Sequence, residues 1–353
     1  MPRIFSRDTG AAARRRTLAA GLAPVFLDII QGKPSTLKFS DGSSSPTTCL
    51  RCPDAPCMMF RDEEVVSSSI PEFPADRNPA VCPAGAISRT NSGTPSIDPA
   101  ACMLCGVCAS RCPTGAIRMI PYAVIDDTAR SVFPETDDDA SADAALAAVS
   151  WVPRSGEFLT ESDIVVDDLR SRMLAAWDQN GDRFPDVLAR NVLIAAGCGA
   201  AMRRRGDVFA RMDIVLGPPW PEFGCAEAEF GDEAVLDAPR DLLDDIAVSV
   251  GRLGRNLLSL SALVITDVLP NRRSEYWRII QDIRNVVGVK IGTVTVLALC
   301  LLVWRGRKMS DLPPDLFHVD IDRLSYREAV LKPLLGRKLR IDLAPRPDVE
   351  VAK

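Results

Sequence analysis

The chain contains a single histidine, His318, among 353 residues. Ser-His-Asp and Cys-His nucleophilic catalysis each need an imidazole beside the nucleophile, and one histidine in a polar C-terminal stretch leaves no room for either. Long apolar runs are missing too. The longest, Thr293–Trp304, falls short of the ~20 residues of a bilayer-spanning helix, so no membrane partner is expected. No G-x-G-x-x-G and no Walker sequence occurs, so nothing supports a nucleotide or flavin site. An excess of positive charge is also absent: 42 Lys and Arg stand against 47 Asp and Glu, a net charge of −5. That balance argues against a strongly basic nucleic-acid binder, while leaving room for a local basic patch. Arg203-Arg204-Arg205 and Arg272-Arg273 are short enough to be ordinary solvated surface.

Cysteine, by contrast, is plentiful: there are 11, and eight of them fall into two runs. The second reads Cys102-Met-Leu-Cys105-Gly-Val-Cys108-Ala-Ser-Arg-Cys112-Pro113, or C-x2-C-x2-C-x3-C-P. The first reads Cys49-Leu-Arg-Cys52-Pro-Asp-Ala-Pro-Cys57, and its fourth member follows 25 positions later as Cys82-Pro83. The tails CPAGAI and CPTGAI are nearly one hexapeptide, the mark of an internal repeat. Three thiolates spaced this closely wrap backbone around a cubane cluster and cap three of its irons. Two structural zinc sites would also use four cysteines each, but neither the three-in-a-row spacing nor the repeated Cys-Pro is required for zinc. Disulfides need an oxidising compartment. Arg14-Arg15-Arg16 resembles the start of a twin-arginine signal, yet Pro24, Asp28 and Gln31 break the following stretch and no small-x-small site appears. Reduced thiolates and a cytoplasmic location are therefore expected. Cys198, Cys225 and Cys300 stand singly in apolar contexts and read as buried hydrophobes.

Residues 46–122 resemble the dicluster bacterial ferredoxin family, a fold of two β-α-β halves. The C-x2-C-x4-C form with Pro56 before the third cysteine is similar to ferredoxin-like subunits of multi-subunit oxidoreductases. The resemblance implies two [4Fe-4S] clusters with crossed ligands. One would take Cys49, Cys52, Cys57 and Cys112, and the other Cys102, Cys105, Cys108 and Cys82. The small residues Ala84, Gly85, Ala86, Gly106, Thr114, Gly115 and Ala116 suit a backbone that approaches cluster sulfurs and donates N–H bonds to them. The segment from Met58 to Val81 departs from the family, which usually has three residues there.

The rest divides by pattern. Residues 1–45 read as a leader with an amphipathic helix over 11–31. Residues 123–160 are an acidic linker, a solvated tether or a loop. Residues 161–310 read as an α/β domain with a mixed sheet, and 311–353 as a tail with one helix near Tyr326–Leu335. Helical period covers Asp167–Trp177, Pro185–Ala200, Arg240–Leu253 and Glu275–Val287, the last capped by the turn through Ser274. Strands are expected at Arg204–Arg211, Met212–Gly217, Gly224–Gly231, Leu258–Leu269 and Thr293–Arg305. Asp178-Gln-Asn180-Gly-Asp182 reads as a turn at a helix end, because it lacks the later Glu of a calcium loop.

Across residues 184–305 the order α-β-β-β-α-β-α-β resembles the restriction-endonuclease-like PD-(D/E)xK superfamily. Asp213 stands at the start of one strand, and Glu227-Ala-Glu229 on the next. Residues two apart on a strand share a face. The resemblance implies that Asp213, Glu227 and Glu229 meet around Mg2+ and activate water for phosphodiester hydrolysis. Glu229 replaces the family lysine, which points to weak or absent cleavage. Three functions follow as expectations. The leading one is electron transfer or redox sensing with a redox partner protein or multi-subunit complex. The second is action on nucleic acid, with the clusters structural or regulatory. The third is a scaffold subunit of a larger assembly.

Overall fold

The computed structural model describes residues 37–39, 49–67, 69–113, 116–119, 170–207, 212–231, 234–267, 270, 274–304 and 308–311. The expected helices over 11–31 and 326–335, the acidic linker, His318, Arg272-Arg273, Thr114 and Gly115 lie outside the described residues. The chain divides into two compact units. The first is Met1–Arg61, Pro79–Gly181 and Cys300–Arg307; the second is Asp62–Asn78, Asp182–Leu299 and Lys308–Lys353. This division cuts across the linear segments 46–122 and 161–310, because Asp62–Asn78 goes with the second unit and a helix over 170–180 with the first.

The first unit is built from short pieces. Strand β1 (Leu37–Phe39) and strands β2 (Ile87–Arg89) and β3 (Pro95–Ile97) precede helix α1 (Val107–Arg111), strand β4 (Ile117–Met119) and helix α2 (residues 170–180). β1 pairs antiparallel with β4, and β2 with β3. The β2–β3 connection is closed by Thr90, whose N–H donates to Thr94 O at 2.8 Å, and by Gly93 at φ +84°. A left-handed residue is cheapest as glycine, so the tip is well chosen. Helix α2 stops at Asn180 with Gly181 at φ +79°, the turn expected there.

The second unit is a mixed α/β domain with a five-stranded sheet. Its elements are α3 (Phe184–Ala195), β5 (Gly199–Met202), β6 (Ile214–Gly217), β7 (Gly224–Glu229), α4 (Ala234–Gly251), β8 (Ser261–Thr266), α5 (Glu275–Val287) and β9 (Ile291–Thr295). The strand order is β5-β6-β7-β8-β9; β5, β6 and β7 pair antiparallel, and β7, β8 and β9 parallel. Each parallel pair needs a crossover, and α4 and α5 supply them. β6 and β9 are buried along their whole length, as strands covered on both faces are. Helix α5 begins as its sequence indicates: Ser274 Oγ accepts from Tyr276 N–H at 3.2 Å. It ends at Gly288 at φ +80°. Its Tyr276, Trp277, Ile280 and Ile283 form the buried face, and the Tyr276 hydroxyl shares a 2.8 Å hydrogen bond with Thr293 of β9.

Two expectations are corrected. The apolar run predicted as a strand over Thr293–Arg305 is a strand only to Thr295 and then helix α6 (Val296–Trp304). An apolar run without period does not distinguish the two. The switch is fixed by Thr295, whose Oγ1 accepts from Ala298 N–H at 3.2 Å as a helix cap does. Of the strand predicted at Arg204–Arg211, the described residues 204–207 are not in a strand; the strand before β6 is Gly199–Met202, which begins inside the stretch expected as helix to Ala200. Gly197 at φ +86° stops the preceding helix, and the small apolar residues, not the arginines, are the ones buried.

The strap Asp62–Asn78 is bound to this sheet by side chains far away in sequence. Ile70 and Phe73 pack with Ala201, Met212, Val215 and Phe223. Gly217 must be glycine here: a Cβ would stand 2.0 Å from Ser69 Oγ. Ala75 forms an antiparallel bridge with Arg203, which partly covers the edge beside β5. Arg190 is fully buried. Its guanidinium donates to Asp76 O at 3.3 Å and Asn78 O at 3.1 Å, and its Nε to Asn191 Oδ1 at 3.0 Å. Burial lowers its pKa to about 10, so it stays charged at neutral pH. Arg190→Met keeps the volume but strips two carbonyls of their donor. A loss of about 2–4 kcal/mol is expected, read as a lower urea midpoint with unchanged slope in the full-length protein.

Candidate functional site

All eight run cysteines lie in the first unit. Each run starts by turning the backbone left-handed at the same place. Arg51 (φ 50°) is the second residue between Cys49 and Cys52, and Leu104 (φ 64°) is its counterpart between Cys102 and Cys105. Positive φ in bulky residues is uncommon and is held only where surroundings enforce it. The repeat is thus one of backbone shape as well as letters. Cys49, Cys52, Cys57 and Cys112 line one pocket. Burial raises Cys57 to about 12, and the charge of Cys112 is the next cause. Cys52 is raised by burial, then by Asp54 and Cys112.

The other four cysteines form a second group. Burial raises Cys105 and Cys108 well above the ordinary thiol range, and Cys82 adds to both. Burial raises Cys102 to about 11, with Cys82 again contributing. Cys82 is itself raised by burial, against which the N–H groups of Ala86, Ala84, Ile87 and Gly85 pull. Ala86 N–H reaches its Sγ at 3.2 Å. Arg51 N–H donates to Cys49 Sγ at 3.4 Å, and Ile117 N–H to Cys112 Sγ at 3.5 Å. Thiols so buried ionise only with cations beside them, which is what iron supplies. Cys102, Cys105 and Cys108 are buried, whereas Cys49, Cys52, Cys57, Cys82 and Cys112 are half-buried. Cys300 is buried and close enough to Cys105 to raise it further.

The acids of the second unit gather as well. Asp213 directly precedes β6, and Glu227 and Glu229 lie on β7. Antiparallel register pairs Ile214 with Ala226, so one step outward Asp213 stands opposite Glu227. Glu227, 3% exposed, is hydrogen-bonded to both Asp213 and Asp245, and burial first and Asp213 second hold its carboxyl protonated far above the usual range. Two acids join that the motif did not contain, Asp186 on α3 and Asp245 on α4. Asp245 is 1% exposed and its Oδ2 has no hydrogen-bond partner. Its only sequence signal is position on the inward face of α4, beside buried Leu242, Ile246 and Ser249. Positive charge comes from Arg203, 2.8 Å from Asp213, and from Arg183, 3.0 Å from Asp76. Glu229 is half-buried and raised by burial, then by Asp213. Among the described residues, no three Cys, His, Asp or Glu side chains close on one point as a single metal ion needs. A cubane makes no such demand, because its ligands are spread over four irons.

Residues 95–118 match the 4Fe-4S binding domain family. No curated protein matches the chain. No solved structure matches it either. The chain therefore carries an iron–sulfur domain that includes Cys102, Cys105, Cys108 and Cys112, and none of its described helices is long and apolar enough to cross a membrane.

Asp186 gives a pH test. Burial, then Asp213, pushes it up to about 7, with Glu229 adding and Arg183 and Arg203 opposing. Its unfolded value is about 3.9. Between these values the folded chain holds more protons than the unfolded one, so stability falls as pH rises. Urea midpoints from about pH 5.5 to about pH 7.5 should decline less steeply in Asp186→Asn than in the parent.

Proposed function

We propose that the chain is a cytoplasmic two-cluster iron–sulfur protein that transfers or senses single electrons together with a partner protein. The observation that supports the reading is where the fourth cysteine of the second run lies. Cys112 lines one pocket with Cys49, Cys52 and Cys57 of the first run, and Cys82 stands close enough to Cys102, Cys105 and Cys108 to raise all three. A bound [4Fe-4S] cluster supplies reversible one-electron chemistry. The chain's residues set its conditions. Backbone N–H groups at Arg51, Ala86 and Ile117 stabilise negative charge on the sulfurs they bond. The half-buried first set lies beside Leu50, 67% exposed, which gives a partner an apolar foothold next to Cys49. The second set, whose Cys102, Cys105 and Cys108 are buried, holds added charge at greater cost. Its potential is therefore the lower of the two, other things equal.

Anaerobically purified protein should contain about eight irons and about eight acid-labile sulfides. Cys112→Ser should damage the cluster of Cys49, Cys52 and Cys57, and Cys82→Ser the other, as read by EPR of the reduced protein. Tetrahedral zinc–thiolate spectra without sulfide would sink the reading. Damage confined to each cysteine's own run would reverse the crossed assignment.

A second reading is favoured by one observation, the gathering of Asp213, Glu227 and Glu229 on a sheet of order β5-β6-β7-β8-β9. On this reading the second unit is a restriction-endonuclease-like domain that acts on nucleic acid. Mg2+ would have to displace the protons shared by Glu227, and Glu229 gives the attacking water no positive charge. Binding to DNA that weakens with salt, together with slow Mg2+-dependent cleavage lost in Asp213→Ala, is the expected signature. Salt-insensitive association and no cleavage would remove it.

A further inference from the structure

Cys57 and Cys82 belong to different cysteine sets, yet the chain between them is closed on itself next to both. Met59 and Ala80 form an antiparallel bridge. Phe60 N–H donates to Pro79 O at 2.7 Å, and Val81 N–H to Met58 O at 2.9 Å. Between these paired legs runs the strap Asp62–Asn78, which belongs to the second unit. The strap ends beside the acidic group. Asp76 N–H donates to Met202 O at 2.8 Å, and Arg204 N–H to Pro74 O at 2.7 Å. Ala75 bridges Arg203, whose guanidinium lies 2.8 Å from Asp213. Asp76 pairs with Arg183 at 3.0 Å, and Arg183 also donates to Arg203 O. Both arginines that face the acids are thus held by two consecutive strap residues.

We propose that the strap is a coupler: iron–sulfur occupancy at Cys57 and Cys82 fixes its legs, and the docked strap fixes Arg203 and Arg183 against Asp213 and Asp186. The inference rests on the two-cluster reading for what holds the legs. The device has two discrete arrangements, docked and released. Pinning both ends of a loop lowers the entropy that docking must overcome. Loss of ligation at either cysteine frees one leg and shifts the equilibrium towards release. Release takes away the partners of Asp76 and Ala75 and loosens the two cations over the acids. It makes or breaks no covalent bond within the strap. It also explains why a segment absent from compact ferredoxins is anchored so heavily, by Arg190, Ile70 and Phe73.

Amide hydrogen exchange of the full-length protein tests this, with iron and sulfide measured on the same samples. Removing the clusters should speed exchange at the Asp76 and Arg204 amides by about tenfold or more, while Val264 in β8 and Val294 in β9 change less than about twofold. In cluster-loaded Arg190→Met the same two amides should speed up with iron content unchanged, because the strap is then loosened from its other side. Protection of Asp76 and Arg204 that survives cluster removal overturns the coupler. So does equal loss throughout β8 and β9, which would be general unfolding. Unchanged exchange in Arg190→Met overturns the link between strap and arginines whatever the metal content. A preparation with fewer than two clusters removes the two-cluster reading and the coupler together, whereas full iron content with an insensitive strap removes the coupler alone.

Discussion

Burying an acidic side chain is costly, and both units do so. In the first, Cys105 and Cys108 are buried with their thiols held strongly protonated. In the second, Glu227 and Asp245 are buried against each other with an orphaned oxygen. Neither arrangement helps folding as it stands. For the thiols, the matched iron–sulfur domain names what compensates them. For the carboxylates, a shared proton between neighbours does the same work at neutral pH, and it weakens as pH rises.

The strap follows from the spacing of the first run. A short link between Cys57 and Cys82 would leave the second unit untouched. Here the link is long enough to fold, and it carries the buried side chains Ile70 and Phe73. They join a cluster with Ala201, Met212, Val215 and Phe223. The backbone that follows must then be satisfied, and Arg190 does so by donating to the carbonyls of Asp76 and Asn78. A buried arginine is tolerated because both of its charged ends find acceptors, with Asp76 nearby raising its pKa against the effect of burial.

Local chemistry made much of this legible from sequence. The Ser274 cap, the buried stripe of α5 and Gly288 define a helix with the same limits in pattern and in space, Glu275–Val287. The order of helices and strands from α3 to β9 follows from alternating periods, because amphipathic segments must face a sheet. The Cys-Pro hexapeptides signalled a repeat, and the left-handed Arg51 and Leu104 are its backbone expression. What stayed hidden depends on distance. No period within Thr293–Trp304 tells strand from helix, since apart from Thr293 and Thr295 every position is apolar; the Thr295 hydroxyl caps the helix that follows the strand. Asp186 and Asp245 lie on helices whose polar residues look solvated until the fold turns those faces inward. The strap's attachment rests on residues more than 100 positions away, such as Arg190 to Asn78.

Glu229 shows how these constraints meet. It shares a face of β7 with Glu227, two residues away, so a lysine there would have placed a positive charge among the acids from within the sheet. Glutamate adds to the negative charge instead. Compensation has to come from another direction, and it comes from Arg203 after β5 and Arg183 before α3. Both are tied to Ala75 and Asp76. The electrostatics of the acidic group are therefore set by the edge of the sheet that the strap covers rather than by the strand that bears the acids. A strand lysine would make the charge balance a local property of β7. Arginines held by the strap make it a property of the segment between Cys57 and Cys82.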